Sequence, residues 1–395
     1  MARVIEVFRV FLWLGLTSFG GPVAHLGYFR SELVEKRGWL SDAAYADLVA
    51  LCQFLPGPAS SQVGFGLGLM RAGWGGALAA WLAFTLPSAL ALVVLATMAT
   101  TVAALAPLLQ GLKIVAVAIV AHAVLGMART LCPDRARASM ALLAAALVLL
   151  LGGLSGQLWA IAVGMLGGMI CCRHLAGAVP EVPLFGVSRR AGLVALGLFV
   201  VLLGGLPWLA QATAEPGWQL FDSFYRAGAL VFGGGHVVLP LLEAETVQAG
   251  RVGAEAFLAG YGATQAVPGP LFTFSGFLGA EWAQGLGASG LMTWSLAGLA
   301  LVAVFLPGFL LLVAVLPFWQ LAGQWAGLRA LMAGANAAVV GILAAALYQP
   351  VFTSAIHSSA EMALALLCFV LLTSWKAPSW LVVIVGALGG WVLGF

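Results

Sequence analysis

The sequence predicts an all-α polytopic membrane protein, built from two homologous halves that form an inverted repeat. Three observations lead to this prediction: the apolar composition of the chain, two motifs that each occur twice, and unequal basic charge in matching loops. The helices of both halves are expected to be broken or re-entrant at the repeated motifs. These motifs carry glycine and proline, which membrane helices tolerate mainly where backbone lines a cavity.

The composition places the chain in a bilayer. Its 395 residues are 63% hydrophobic and 8% charged, with a mean hydropathy of +1.07. Soluble domains carry about 25% charged residues, and membrane-spanning helices need apolar runs of about 20 residues, which recur here along the whole length. The charged residues lie in short loops between these runs, so no nucleic-acid partner is expected. A cleavable signal peptide is not predicted, because Gly20-Gly21-Pro22 interrupts the first apolar stretch.

Two sequence motifs each occur twice in the chain. Residues 18–26 are echoed by residues 231–239 at an offset of 213, and residues 53–58 by residues 265–270 at an offset of 212. Residues 111–114 also align with residues 334–337. A nearly constant offset indicates one ancestral unit that is present twice.

The first half is predicted to cover residues 1–171. Its first apolar segment ends at Gly20-Gly21-Pro22, and a later one is broken at Pro56-Gly57-Pro58. In chain order, the predicted segments are 8–19, 23–37, 42–55, 59–70, 74–100, 105–128, 138–153 and 156–171.

A connector over residues 172–190 is predicted to join the halves, and residues 191–395 form the second half. After one further span at 191–210, the second half repeats the order of the first from residue 221, with breaks at Gly233-Gly234-Gly235 and Pro268-Gly269-Pro270. The spans that follow are predicted at 288–316, 328–348, 360–374 and 378–394.

Charge predicts opposite orientations for the two halves. Residues 1–190 carry 13 Lys and Arg and 7 Asp and Glu, a net charge of +6, whereas residues 191–395 carry 4 and 7, a net charge of −3. Because cytoplasmic loops carry an excess of Lys and Arg, matching loops of the halves should face opposite sides. If Arg37 and Arg71 face one side, the broken segments of the first half are re-entrant hairpins. The alternative is one unwound span each.

The breaks are candidate anion sites, because helix N-termini carry unpaired N–H groups and a partial positive charge. Pro58 opens a helix with two hydroxyls and an amide in its first turn, and the glycine turns supply flexible backbone. The alternative is that glycine and proline merely kink packed helices. The candidate substrate-binding residues are Gly20, Gly21, His25, Gln53, Ser60, Ser61, Gln62, Gly233, Gly234, Gly235, His236, Gln265, Thr273 and Ser275.

Three ionisable residues are candidates for a charge or coupling role, because ionisable groups inside a membrane are usually functional. For Lys113 the alternative is snorkelling to the interface, and for Arg226 it is an ion pair with Asp222 one helical turn away. For Glu243 the alternative, an exposed loop face, is favoured. His122 is interpreted as a packed histidine, with a proton carrier as the alternative.

Catalytic and metal-binding patterns are missing from the sequence. It contains no Walker A motif, no CxxC pair and no catalytic dyad. We therefore expect no enzymatic activity, no cofactor and no metal, and transport driven by an ion gradient or by the membrane potential.

The repeated motifs resemble those of the chromate ion transporter family. The resemblance rests on residues 11–29 with Gly20-Gly21-Pro22-Val23-Ala24-His25-Leu26-Gly27, and on the runs Gln53…Pro56-Gly57-Pro58…Ser61-Gln62, 232–240 and Gln265…Pro268-Gly269-Pro270-Leu271-Phe272-Thr273. It covers both halves, as in the long two-domain bacterial form.

The resemblance implies a multi-pass protein of the bacterial inner membrane. It also implies a secondary transporter that exports chromate with the proton motive force, with protons as the coupling ion and sulfate as the expected competitor. The alternatives are a sulfate-like oxyanion importer or exchanger, and an anion channel. A homodimer is one assembly that the sequence allows.

Overall fold

The computed structural model describes residues 1–19, 21–99, 106–173, 186–213, 215–232, 237–319 and 326–393. Over these ranges the chain forms helices and no strand, which confirms the all-α prediction. Most of the predicted connector, residues 174–185, lies outside the described residues, so the division at residues 171 and 191 stays a prediction.

The first half contributes seven α-helices to the described residues. They are α1 (Ala2–Thr17), α2 (Gly21–Phe29), α3 (Asp42–Phe54), α4 (Ala59–Ala99), α5 (Ala106–Leu131), α6 (Arg135–Leu151) and α7 (Gly153–Cys171). A π-helix, Arg30–Lys36, continues α2. The predicted segments 59–70 and 74–100 join in α4, which kinks where the backbone of Ala72 and Gly73 is not helical.

The second half repeats this order after a single helix, α8 (Arg189–Thr213). Its longer α-helices are α9 (Pro216–Ala229), α10 (Val238–Thr246), α11 (Ala254–Thr264), α12 (Phe274–Gly285), α13 (Leu291–Val315), α14 (Ala326–Ala346), α15 (Ser359–Thr373) and α16 (Ser379–Leu393). Helices α9–α11 match α1–α3, and α12 and α13 match the two arms of α4. Helices α14–α16 match α5–α7, and α8 has no counterpart in this pairing.

Several helices begin at polar caps. Ser41 Oγ accepts the Ala44 N–H at 3.2 Å at the start of α3, and Ser358 and Glu361 form a capping box at α15. At α6, Asp134 Oδ1 accepts the Arg137 N–H at 2.9 Å, and this bond lowers the pKa of that carboxyl. The caps fix the points at which the chain re-enters apolar helix.

Each half packs against helices of the other. Helix α5 packs on α15 and α16, and in return α14 packs on α6 and α7. The crossings depend on small residues, which let membrane helices approach closely. A Cβ on Gly111 would lie 2.8 Å from Ala387 Cα, and one on Gly334, the matching residue, 2.7 Å from Gly168 Cα.

These crossings reveal a third repeated motif that the sequence analysis missed. Residues 163–168 and 385–390 are identical at five of six positions, at an offset of 222. They place Gly164 and Gly168 against Gly334, and Gly386 and Gly390 against Gly111. The glycines of this motif in each half therefore contact the matching glycine of the other half.

The long helices confirm a polytopic membrane protein. Five helices of the described residues are long and apolar enough to cross a membrane: Ala59–Met98, Pro107–Leu131, Arg189–Thr213, Leu291–Phe318 and Gly327–Ala355. Large apolar side chains such as Leu150, Ile170 and Trp208 point outward on the helix bundle. This is the surface that lipid covers.

Candidate functional site

The two Pro-Gly-Pro turns are each hydrogen-bonded to the opposite half of the chain. The Gly57 N–H donates to the Val231 carbonyl at 2.7 Å, and the Gly269 N–H donates to the Ser18 carbonyl at 3.0 Å. Val231 and Ser18 hold matching positions at the start of the doubled glycine motif. Each proline turn therefore lies against the residue that begins the glycine motif of the other half.

Both turns require glycine. Gly57 has a φ of +119° and Gly269 a φ of +103°, values that residues with a side chain rarely adopt. A Cβ on Gly57 would lie 2.9 Å from Gly308 Cα, and one on Gly269 would lie 2.9 Å from Ser88 Oγ. Gly308 and Ser88 each follow a proline inside α13 and α4, so the two close approaches also match.

A cluster of buried polar side chains surrounds the turn of the first half. Its members, each no more than 4% exposed, are Ser18, His25, Ser60, Ser61, Gln62 and Thr85. His25 Nδ1 lies 3.4 Å from Ser60 Oγ, and the His25 ring packs edge-on against Phe84 with 5.3 Å between centroids. Helix α2 and the first turn of α4 thus bring the predicted residues His25 and Ser60 together.

Within the described residues, five side-chain groups of this cluster have no hydrogen-bond partner. One of them, the Gln62 Oε1, is an acceptor. The other four can donate: the hydroxyls of Ser18, Ser61 and Thr85, and the Nε2 of His25, which is a donor when Nδ1 accepts from Ser60. Buried polar groups are nearly always bonded, so open donors at one place point to a missing acceptor. The first N–H groups of α4, as in any α-helix, have no carbonyl partner within the helix. The arrangement suits an anion with several acceptor oxygens.

Gln62 connects the two halves. Its Nε2 donates to the Pro56 carbonyl at 3.0 Å and to the Gly308 carbonyl of α13 at 2.9 Å. Both partners are carbonyls, so the amide nitrogen must face them. Gln62, a predicted binding residue, therefore holds the turn of the first half against the second half.

The two predicted hydroxyls of the second-half turn form hydrogen bonds within that turn. Thr273 Oγ1 donates to the Pro270 carbonyl at 2.7 Å, and Ser275 Oγ donates to the Phe272 carbonyl at 2.7 Å. Thr273 matches Ser61, whose hydroxyl is open. The two matching turns therefore differ in their capacity to donate to a ligand.

A cavity of about 620 Å³ lies beside the first-half turn. Gln53 and Gln265, which match in the repeat, both line it, together with Gly57 and Asn336. Gln265 Nε2 and Asn336 Oδ1 are buried and have no partner among the residues that the structure describes. Pro22, Leu26 and Ala59 also line the cavity, so it adjoins the His25 and Ser60 cluster.

The chain is similar to known proteins over most of its length. A family model described as chromate transporter matches residues 5–169 and 218–391, most of both halves. This chain belongs to the chromate transporter family. As a member, it is a multi-pass bacterial membrane protein, and the family resemblance seen in the sequence is confirmed.

Three relatives match most of this family member. The probable chromate transport protein of Synechococcus elongatus is 27% identical over 98% of this chain and 94% of its own length. The chromate transport proteins of Cupriavidus metallidurans and Pseudomonas aeruginosa are each 27% identical, over 97% and 86% of this chain and 91% and 79% of their own lengths. No solved structure matches the chain.

The charged candidates of this chromate transporter family member lie apart from the cavity. Lys113 is 8% exposed, and its Nζ lies 3.7 Å from Glu255 Oε2, whose side chain is 85% exposed. Arg226 pairs with Asp222 at 3.0 Å, as the spacing predicts, and also with Glu245 at 2.9 Å. Its guanidinium is thus shared between two carboxylates.

Two interpretations of single residues are wrong. His122 is exposed and lines the 620 Å³ cavity, because its stretch of α5 faces that cavity rather than neighbouring helices. Glu243 is 5% exposed and accepts from Gln248 Nε2 at 2.7 Å, because α10 continues inward past the glycine motif. It does not lie on an exposed loop face.

Some predicted residues fall outside the description. Gly20, Gly233, Gly234, Gly235 and His236 are not among the described residues. Gly21, with a φ of +78°, begins α2. In the part of the chain that the structure describes, no group of three or more His, Cys, Asp or Glu side chains could hold a metal ion.

Three residues of the site were missed by sequence reasoning. Ser18 stands in the doubled glycine motif, and Asn336 aligns with Lys113 through the repeat, so the repeat held a signal for both. Thr85 lies in the apolar second arm of α4, two residues before Pro87, and only packing brings it to the cluster.

Proposed function

We propose that this chain is a secondary transporter that exports chromate across the bacterial inner membrane, driven by the proton motive force. Membership of the chromate transporter family and the names of its relatives support the substrate. The observation that carries the proposal is the group of open buried donors beside a cavity between the two halves.

The chemistry of the donors fits a tetrahedral dianion. Three hydroxyls, one imidazole N–H and the first N–H groups of α4 can each donate to an anion oxygen. All of them are neutral, so they can hold the anion and also release it. In this proposal Ser18, His25, Ser61 and Thr85 contact the anion directly, and Ser60 orients His25.

The remaining candidates take supporting roles. Gln53 and Gln265 face the anion from the cavity wall, and Gln62 fixes the turn. Thr273 and Ser275 shape the second turn, because their hydroxyls are bonded to carbonyls.

Contacts at the hairpin mouths, the ends of each hairpin where its two segments enter and leave the membrane, support re-entrant hairpins in the first half. Arg71 Nη2, at the end of the first arm of α4, lies 3.0 Å from Glu6 Oε1 near the start of α1. The Arg71 guanidinium also lies 5.2 Å from the ring centroid of Trp39, between α2 and α3. All four segments of chain that lead to the two motifs therefore meet at one end.

A matching contact supports the inverted second half. The Arg251 guanidinium, between α10 and α11, lies 5.2 Å from the ring centroid of Trp282 in α12. Nearby, Glu255 reaches Lys113 at the start of α5. The second-half mouths thus lie at the N-terminal end of α5, a helix that is long enough to span the membrane.

The basic loops indicate the side of the membrane toward which the cavity opens. The cavity is lined by the last turns of α5, from Gly126 to Leu131, at the opposite end of α5 from Lys113. Arg129, Arg135 and Arg137 lie at that end, and the positive-inside rule assigns it to the cytoplasm. The cavity therefore opens toward the side from which an exporter takes its substrate.

The membrane potential favours this direction. Moving one charge across the membrane is worth about 2.3 kcal/mol per 100 mV, so a dianion leaving a negative interior gains about twice that amount. Proton entry adds to this driving force.

Flux in proteoliposomes tests the proposal. Purified protein is reconstituted, and radiolabelled chromate movement is followed with the pH gradient and the potential set independently. We expect chromate accumulation that responds to both, with sulfate as a competitor. Sulfate flux that chromate does not inhibit would indicate a sulfate importer or exchanger, and flux that follows the potential alone would indicate a channel.

A further inference from the structure

A second cavity, of about 330 Å³, lies at the opposite end of α6 from the 620 Å³ cavity, which is called the substrate cavity below. The substrate cavity reaches Leu131, just before α6 begins at Arg135, whereas the second cavity is lined by Val148, Leu149 and Gly152 where α6 ends. A helix of 17 residues rises about 25 Å, close to the apolar thickness of a bilayer. The two cavities therefore open toward opposite faces of the membrane.

A buried carboxylate lines this second cavity. Glu243 of α10 is 5% exposed, and its Oε2 accepts from Gln248 Nε2 at 2.7 Å. Within the described residues, no cation lies within ion-pair distance of Glu243. Arg226 of the neighbouring helix α9 is bonded to Asp222 and Glu245 instead.

Within the part of the chain that the structure describes, the other helices packed on α10 offer Glu243 no counter-ion. Helix α12 carries a further carboxyl, Glu281, and α14 carries Arg329 in its first turn, at the end away from this cavity. Helix α7 presents an uncharged amide, Gln157. A buried carboxylate without a counter-ion is costly unless it takes up a proton or binds a cation.

Gln157 supplies an independent sign of a ligand. It is 2% exposed, lines the same cavity, and its Nε2 donates to the Pro240 carbonyl at 2.8 Å. Since a carbonyl only accepts, the amide nitrogen is fixed there, and the Oε1 has no partner among the described residues. An unpaired acceptor and a carboxylate in one cavity require a donor, and the acid form of Glu243 provides one.

We propose that Glu243 is the proton-binding site that couples chromate export to the proton gradient. Its carboxylate takes up a proton from the non-cytoplasmic side, and the resulting acid is stabilised by the Gln157 Oε1. When the halves change their relative position, the proton leaves Glu243 for the cytoplasm and the carboxylate is restored. This inference rests on the proposed function. The matching residue of the first half, Arg30, forms exposed ion pairs with Glu35 and Asp42, so the halves have separate roles.

The test compares Glu243→Gln with Glu215→Gln, which removes an exposed carboxylate from the same half. The amide oxygen introduced by Glu243→Gln can still accept from Gln248, so chromate exchange without gradients should stay close to wild type. A pH gradient of one unit should raise chromate accumulation about tenfold for each coupled proton in the wild type and in Glu215→Gln. In Glu243→Gln this response should disappear. A full response in Glu243→Gln, or a sodium gradient that replaces the pH gradient, would overturn the assignment.

Infrared spectroscopy gives a measurement that needs no chromate. A difference spectrum of the purified protein between neutral and acidic buffer should contain a carboxylic acid C=O band that is lost in Glu243→Gln and kept in Glu215→Gln. The same band in Glu243→Gln would overturn the inference. If the band behaves as expected but the wild type exchanges no chromate, the proposed substrate fails while the proton site stands.

Discussion

The backbone N–H of Gly57 donates to the carbonyl of Val231, 2.7 Å away in the other half of the chain. The matching bond runs from Gly269 to Ser18 at 3.0 Å. Because both bonds use backbone atoms only, valine and serine can stand at the matching positions without changing the contact. The interface between the halves is therefore symmetric in its backbone, although its side chains differ.

Substituting the turn glycines should disrupt this interface. Gly57→Ala places a Cβ 2.9 Å from Gly308 Cα at a φ of +119°. Overpacking and the unfavourable φ together should cost about 1–3 kcal/mol in unfolding free energy. Thermal unfolding in detergent and chromate flux both measure the effect. Gly298→Ala, in α13 with no atom near the added Cβ, is the control and should leave both unchanged or slightly improved.

The two matching hydroxyls should contribute unequally to chromate binding. Ser61→Ala removes an open donor, whereas Thr273→Ala removes a hydroxyl that is bonded to Pro270. A hydrogen bond to a charged group contributes about 1.5–3 kcal/mol, so Ser61→Ala should weaken chromate binding by roughly 10- to 100-fold. Thr273→Ala should have a clearly smaller effect in the same equilibrium binding assay. Equal losses would contradict the placement of the anion in the first half.

The glycine crossings should resist even one added methyl group. Gly334→Ala and Gly111→Ala place a Cβ within 2.8 Å of backbone Cα atoms on α7 and α16. Each should lower the unfolding free energy by about 1–3 kcal/mol. Gly327→Ala, on α14 with open space around the Cβ, should instead add up to about 1 kcal/mol. Chemical denaturation of the three variants distinguishes crowding from helix propensity.

Cysteine labelling should place both first-half hairpin mouths on the cytoplasmic side. With the five native cysteines replaced by alanine, Arg37→Cys and Arg71→Cys should react with an impermeant reagent in inside-out vesicles. Arg251→Cys should react in intact cells whose outer membrane is permeabilised. Labelling of Arg37→Cys and Arg71→Cys from opposite sides would eliminate the hairpin interpretation.

Sequence reasoning succeeded where a pattern is local or doubled. Apolar run length predicted the helices, and the repeated motifs predicted the turns that the two halves share. It failed for residues whose role depends on packing between distant segments. Thr85 looks like any residue of an apolar span, and Gln62 gains its role only because α13 brings the Gly308 carbonyl beside it. The burial of Glu243 likewise depends on α7, far away in the chain.

The unmatched helix α8 has a topological consequence. In the proposed orientation, the first half enters and leaves the bilayer on the same face, because the second arm of α4 and helices α5, α6 and α7 make an even number of crossings. A second copy joined directly to α7 would insert parallel to the first, and neither interlocking backbone bond could form. One additional crossing by α8 reverses the second copy. Deleting α8 should therefore change the direction in which the translocation machinery inserts half of the polypeptide, rather than remove a piece of the transport pathway.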